Sequence, residues 1–155
     1  MNPSSLELKI PPPLVFAMAA VLMWAIEWAI PALNLALPGR EPAAIIAALA
    51  GCVTIVADVV EFRRLRTTVN PRRPGAASLL VVSGVYQMTR NPMYVGMLFL
   101  LSAWAIYLST VWTVIGPVAF VIYMNRFQIG PEEKVLESLF GEAFTSYRQK
   151  VRRWL

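Results

Sequence analysis

Two polar clusters stand on either side of a long uncharged stretch. The first reads Gly84-Val85-Tyr86-Gln87-Met88-Thr89-Arg90-Asn91-Pro92-Met93-Tyr94-Val95-Gly96, and the second Glu132-Glu133-Lys134-Val135-Leu136-Glu137-Ser138-Leu139-Phe140-Gly141. Between Arg90 and Arg126 lie 35 residues without Asp, Glu, Lys or Arg. In the first cluster, Gly84 permits a close backbone approach to a ligand. Arg90-Asn91-Pro92 sets a permanent cation and an amide at the mouth of an apolar helix. Pro92 suits a first helical turn and Asn91 the cap before it, where free N–H groups favour an anion. The same residues also make an ordinary capped helix whose arginine reaches for the headgroups. In the second cluster, Glu132 and Glu133 follow Pro131 at a helix start, where the helix dipole favours acids. A carboxylate there is able to accept hydrogen bonds from ligand hydroxyl or ammonium groups.

Those clusters need elements to carry them. The chain has 155 residues, 57% hydrophobic and 15% charged, against about 25% charged in an ordinary soluble domain, and the deficit points to a bilayer. Residues 14–37 hold a single charge, Glu27, and exceed the roughly 20 apolar residues that cross a hydrocarbon core. Pro11, Pro12 and Pro13 set the start of that span, Pro38-Gly39 its end, and Pro31 a kink of the kind bundles tolerate. A second span is expected over 42–62, opened by Pro42 and rich in small residues that allow close helix contact. The uncharged run would measure roughly 50 Å as one helix, too long for a core of about 30 Å. It is expected to fold back at Leu108-Ser109-Thr110, giving spans over 93–107 and 111–127. Beyond Pro131 the apolar residues Val135, Leu136, Leu139 and Phe140, then Phe144, Tyr147 and Val151, recur at helical spacing. Arg148, Lys150, Arg152 and Arg153 supply cations for anionic headgroups. The expected fold class is all-α: a polytopic membrane bundle of about four transmembrane helices plus an interfacial carboxyl-terminal helix, in one domain over 1–155.

Charge placement sets the orientation. With four spans, Arg63, Arg64, Arg66, Arg72, Arg73 and Arg90 share a side with Arg126, Lys134, Arg148, Lys150, Arg152 and Arg153, while the other side holds Arg40 beside Glu41. By the positive-inside rule both termini and both clusters face the cytoplasm. The chain is expected as a multi-pass protein of a bacterial or archaeal inner membrane. The net charge of +5 is then explained by topology, and nucleic acid is not an expected partner. The chain has no His, which removes the commonest general base and metal ligand, so no metal is expected. Cys52 is read as a small apolar side chain. Glu27 is an intramembrane acid, a functional candidate by default, with helix–helix hydrogen bonding as the alternative. Asp58 and Glu61, near Arg64, are read as a solvated ion-pair edge.

The order Arg-x-Pro-x-Tyr-x-Gly, uncharged hairpin, Glu-Glu-x-x-Leu-x-x-x-Phe-Gly resembles the isoprenylcysteine carboxyl methyltransferase and phospholipid methyltransferase superfamily. Phe144 and Tyr147 continue the likeness, which covers roughly Ser83 to Arg153. The resemblance implies S-adenosylmethionine as cofactor, held by residues 83–153. Carried over residue by residue, its pocket is lined by Gly84, Val85, Tyr86, Asn91, Gly96, Met97, Leu98 and Glu132, with Tyr94 and Glu133 beside them. Tyr86, Tyr94 and Trp104 offer aromatic faces to a sulfonium. Arg90 or Arg153 would orient a carboxylate nucleophile, and Glu27 would touch the substrate, a lipophilic small molecule or membrane lipid entering sideways between helices. Two departures stand out. Asn91 occupies the position where the family has His, and an amide hydrogen-bonds without titrating. The arginine that the isoprenylcysteine enzymes carry shortly before the acid pair has no close counterpart, since Arg126 is the nearest and Gln128 lies closer, so a prenylcysteine carboxylate is not assumed. Two other readings stay open: a sterol-reductase-like membrane enzyme that binds NADPH, and a non-catalytic membrane protein on the same scaffold.

Overall fold

A computed structural model describes residues 7–30, 38–65 and 79–155. Helix α1 spans Pro12–Ala29 and α2 spans Arg40–Arg64. After a 3₁₀ turn at Gly84–Gln87 comes α3, Pro92–Leu108. A second 3₁₀ turn, Val111–Val114, leads into α4, Ile115–Tyr123. A π-helical segment, Met124–Ile129, joins α4 to α5, Gly130–Phe140, and α6 follows at Glu142–Lys150. No β-strand occurs among the described residues.

Local chemistry accounts for the boundaries. The Pro11 carbonyl accepts the N–H groups of Leu14 and Val15 at 2.9 and 3.2 Å. Ile30 leaves the helical region because the residue before a proline is pushed toward extended backbone. The expected kink at Pro31 and the remainder of the 14–37 span, like Arg66, Arg72 and Arg73, lie outside the described residues. Gly39, at φ +76°, supplies the left-handed step into α2. The expected reversal at Leu108-Ser109-Thr110 is present: α3 stops at Leu108 and Ser109 turns left-handed at φ 56°. Thr113 then donates to the Thr110 carbonyl at 2.6 Å.

Where four spans are expected, two helices, α1 and α2, have the length and apolarity to cross a membrane. Helix α3 is apolar but 17 residues long, and α4 is nine residues before the π segment. Both α1 and α2 turn large apolar side chains outward: Met18, Val21, Leu22 and Trp28 on one, Ile46, Leu49, Val53 and Val60 on the other. Contiguous apolar surface on this scale suits hydrocarbon.

Helices α2 and α3 form the most extensive pairing, and two glycines permit it. A Cβ on Gly96 would meet Ile55 Cγ1 at 2.5 Å and the Gly51 carbonyl at 2.8 Å; one on Gly51 would meet the Gly96 carbonyl at 2.8 Å. Gly116 accommodates the Met23 side chain in the same way, which seats α1 on α4. The core between these helices consists of Met23, Tyr94, Met97, Leu101, Leu108, Phe120, Met124 and Ile129.

Candidate functional site

The π segment begins the site. Pro131 has no N–H to offer the Phe127 carbonyl one turn back, and the Leu8 N–H takes that carbonyl instead at 3.1 Å. One wider turn there sets Asn125, Gln128, Glu132 and Glu133 toward the start of α3, a common use of π segments. Glu132 is buried, and its Oε1 accepts the Tyr94 hydroxyl at 2.8 Å and the Gln128 amide at 2.6 Å. Burial pushes its carboxyl up to about 7, against the opposing pull of the Gln128 and Tyr94 hydrogen bonds and with some help from Glu133. The two polar clusters therefore meet through a direct hydrogen bond.

Glu133 has the opposite surroundings. Arg153 grips it with both arms, Nε to Oε1 at 3.1 Å and Nη2 to Oε2 at 2.5 Å, and Arg90 Nη2 adds a contact at 3.1 Å. Arg153 Nη1 and the Trp154 indole also donate to Asn125 Oδ1, at 3.4 and 3.1 Å. Arg90 keeps two buried donors, Nε and Nη1, without a partner. Burial lowers the Arg90 guanidinium below its ordinary value; Glu133 opposes that shift while Arg153 and Arg148 add to it.

The carboxyl-terminal tail closes on this cluster through backbone. Arg90 N donates to the Arg152 carbonyl at 3.0 Å, and the Asn91 amide and Thr89 hydroxyl both donate to the Arg153 carbonyl, at 2.8 and 3.2 Å. Asn91 sits at the cap position of α3, yet its side chain caps no helical N–H. The expected capping role is replaced by a latch on the tail. Further back, Tyr147 donates to the Tyr86 carbonyl at 2.7 Å, and Tyr86 donates to Asp58 Oδ1 at 2.5 Å. Burial raises the proton affinity of both phenols, with the Asp58 charge adding to that of Tyr86. Phe144 and Tyr147 are buried, so the aromatic part of the tail stripe packs inward on the 3₁₀ turn, while Leu139 stays outside.

Asp58 and Glu61 correct the sequence reading. Both are buried, at 1% and 6% exposure, and neither pairs with Arg64 among the described residues. Glu61 accepts the Ser83 hydroxyl and lies against Gly84, where a Cβ would come within 2.7 Å of its Oε2. The left-handed backbone of Gly84 (φ +59°) and its missing side chain thus serve Glu61, not a ligand.

Among the expected site residues, Gly84, Val85, Tyr86, Arg90, Asn91, Tyr94, Glu132, Glu133 and Arg153 gather at one end of the bundle. Gly96 faces α2 and Met97 is part of the core; Leu98 packs partly buried beside them. Trp104, ten residues beyond Tyr94, stacks on Tyr107 at 5.6 Å and donates to the Ala20 carbonyl at 3.1 Å, away from the cluster. Glu27 is half-buried fifteen residues beyond Pro12, roughly 22 Å along α1, at the end opposite the Leu8–Phe127 tie. Residues that sequence reasoning missed are Asn125, Gln128 as a partner of Glu132, Asp58 and Trp154. Spacing 125/128/132 departs from α-helical periodicity, so only the π turn brings all three to the site.

A groove of about 460 Å³ opens between α2 and α3 at the far end, lined by Ala44, Ala48, Leu100, Ala103, Trp104 and Tyr107 among others. It contains none of the residues of the polar cluster.

The chain was compared with known proteins. The model of the phospholipid methyltransferase family matches residues 42–143. An uncharacterised protein of Haemophilus influenzae is 44% identical over 63 residues, which is 41% of this chain and the whole of that protein. No solved structure matches. The family match and the two helices able to span a bilayer make this a membrane-associated chain.

Proposed function

Because the chain belongs to the phospholipid methyltransferase family, we propose that it transfers a methyl group from S-adenosylmethionine to a lipophilic or membrane-associated small molecule at the cytoplasmic face of a bacterial or archaeal inner membrane. The observation that carries this reading is the junction of the two clusters: Tyr94, at the mouth of α3, bonded to Glu132 at 2.8 Å. Bound S-adenosylmethionine would supply a methyl carbon already activated by a sulfonium. The residues present fit such a group. Arg90 has two buried donors to spare, and orphaned buried donors are costly unless a ligand engages them; a carboxylate answers them. Glu132, poised near neutrality, gives an acceptor for hydroxyl groups and, once ionised, a counter-charge for a cation. The Tyr86 and Tyr94 rings stand beside it. Arg153 holds Glu133, which keeps Arg90 in place, and its own capacity for a substrate carboxylate is thereby used.

Membrane topology follows from the same reading. The cluster end carries Arg63, Arg64, Arg90, Arg126, Lys134, Arg148, Lys150 and Arg152, and cationic flanks favour the cytoplasmic side. Helices α3 and α4 with the π segment would complete four crossings, packed against α1 and α2. Positioning and a dry, oriented field are the main contributions such a site makes to methyl transfer.

Calorimetry on the purified chain in detergent tests the proposal. S-adenosylmethionine and S-adenosylhomocysteine are expected to bind, with at least tenfold weakening in Glu132→Ala and in Arg90→Ala. Binding of neither ligand overturns it, and tight NADPH binding in their place moves the chain to the reductase reading.

A further inference from the structure

Asp58 is held in an unusual state for an acid on an apolar helix. It is 1% exposed; Oδ1 accepts the Tyr86 hydroxyl at 2.5 Å, and Oδ2 is buried without a hydrogen-bond partner. Leaving a carboxylate oxygen dry and unpaired is costly. Support of the 3₁₀ turn explains Oδ1 only, and Glu61 already ties that turn through Ser83 and Gly84.

Resting on the methyl-transfer reading above, we propose that Asp58 is the proton acceptor of that reaction, its Oδ2 taking the proton that an amine, hydroxyl or thiol gives up as it is methylated. Tyr86 belongs to the turn at the site, and its electrostatic neighbours include Tyr94 and Tyr147 as well as Asp58. Asp58 therefore borders the same space as Glu132. The chain has no His to do the work. Glu133 is saturated by two guanidiniums, and such a carboxylate is a poor base. Glu132 spends one oxygen on Tyr94 and Gln128 and is placed with the cofactor. Glu61 is engaged by Ser83. Asp58 is the described acid with a buried oxygen left over.

The step balances. The nucleophile's X–H bond gives its proton to Asp58 Oδ2 and its electron pair to the new X–CH₃ bond. The C–S bond of the methyl donor breaks with its pair left on sulfur, so a sulfonium becomes a neutral thioether and the carboxylate a carboxylic acid. Tyr86, bonded to Oδ1, turns Oδ2 toward the nucleophile. A carboxylate nucleophile releases no proton and would be repelled by Asp58, so the acceptor class narrows to protic groups.

The test uses the full chain reconstituted in vesicles of bacterial total polar lipid and given S-adenosylmethionine tritiated in its methyl group. Label is expected in the lipid extract and should resist alkali; volatile tritiated methanol on alkali treatment would mark a methyl ester. Asp58→Asn is expected to lower turnover at least 100-fold while the Kd for S-adenosylmethionine stays within threefold, and Asp58→Glu to restore part of the rate. A methyl ester product, turnover of Asp58→Asn within threefold of wild type, or loss of donor binding together with turnover overturns the assignment. So does donor binding by wild type with no labelled lipid. Failure of wild type to bind the donor at all overturns instead the methyl-transfer reading beneath it.

Discussion

The α2–α3 pair is built differently at its two ends. At one end every partner is polar and cross-linked: Asp58 to Tyr86, Glu61 to Ser83, Tyr94 to Glu132, with Glu133 bound between Arg90 and Arg153. At the other end Ala44, Ala48 and Ala103 leave an apolar groove beside Trp104 and Tyr107. Gly51 and Gly96 form the waist between them. The contrast teaches that close packing of this pair is enforced at the waist and at the polar end, and left slack where only lipid-like surface is needed.

The contrast can be broken most sharply at Glu133. Glu133→Ala leaves Arg90 and Arg153 side by side without their counter-charge, and removing one partner of a buried pair costs about 3 kcal/mol or more. Unfolding in mixed dodecyl maltoside and dodecyl sulfate micelles should read that loss; a change under about 1 kcal/mol, the scale of an exposed pair, would mean the cluster is solvent-like. Glu132 next door should respond to pH. Its carboxyl moves from 4.5 unfolded to about 7 folded, so the protonated form favours the fold. That contribution is complete below pH 4.5 and is lost as pH rises through 7. Stability of the ligand-free chain should fall by about 3 kcal/mol between pH 5 and 8, and Glu132→Gln should flatten the slope. Binding of a sulfonium ligand should run the other way, tightening over the same interval, because it favours the ionised acid; equal pH dependence for S-adenosylhomocysteine would contradict this.

At the waist, Gly96→Ala drives a methyl into Ile55 and the Gly51 carbonyl. Overpacking of this kind costs about 1–3 kcal/mol, and a neutral result would show that α2 and α3 slide apart freely. The smallest effect is expected in the groove. Ala48→Leu extends into open space and should change stability by less than about 0.5 kcal/mol, with ligand Kd unchanged within twofold. Loss of ligand binding in that variant would join the two ends into one functional unit.

Much of the carboxyl-terminal half was legible because its signals are local. Pro92 and Ser109 bracket α3 within a residue of the expected 93–107, and Gly84 and Gly141 mark turns where φ is positive. The meeting of Tyr94 with Glu132 followed from a hairpin that returns its ends to one place. Asp58 and Glu61 were misjudged because their partners lie 28 and 22 residues away, and nothing at α2 itself announces them. Arg153 was read as a headgroup or substrate cation because its charge is visible in sequence and its partner, 20 residues earlier, is not. Asn91 illustrates the same limit. Its position at the head of α3 predicts a cap, but the carbonyl it binds belongs to a residue 62 positions later.

The π turn at Met124–Ile129 carries one residue more than a plain α-helix would need over the same rise. Excising an exposed residue from it, Arg126 for instance, would let the segment relax to regular winding and swing everything downstream by about 100°. Glu132 would then leave Tyr94, and Glu133 would leave its two arginines, although every other side chain remained in the sequence. The site thus depends on a count as much as on composition, and a gain or loss of a single codon in this stretch would be enough to separate chains that keep the site from chains that keep only the scaffold.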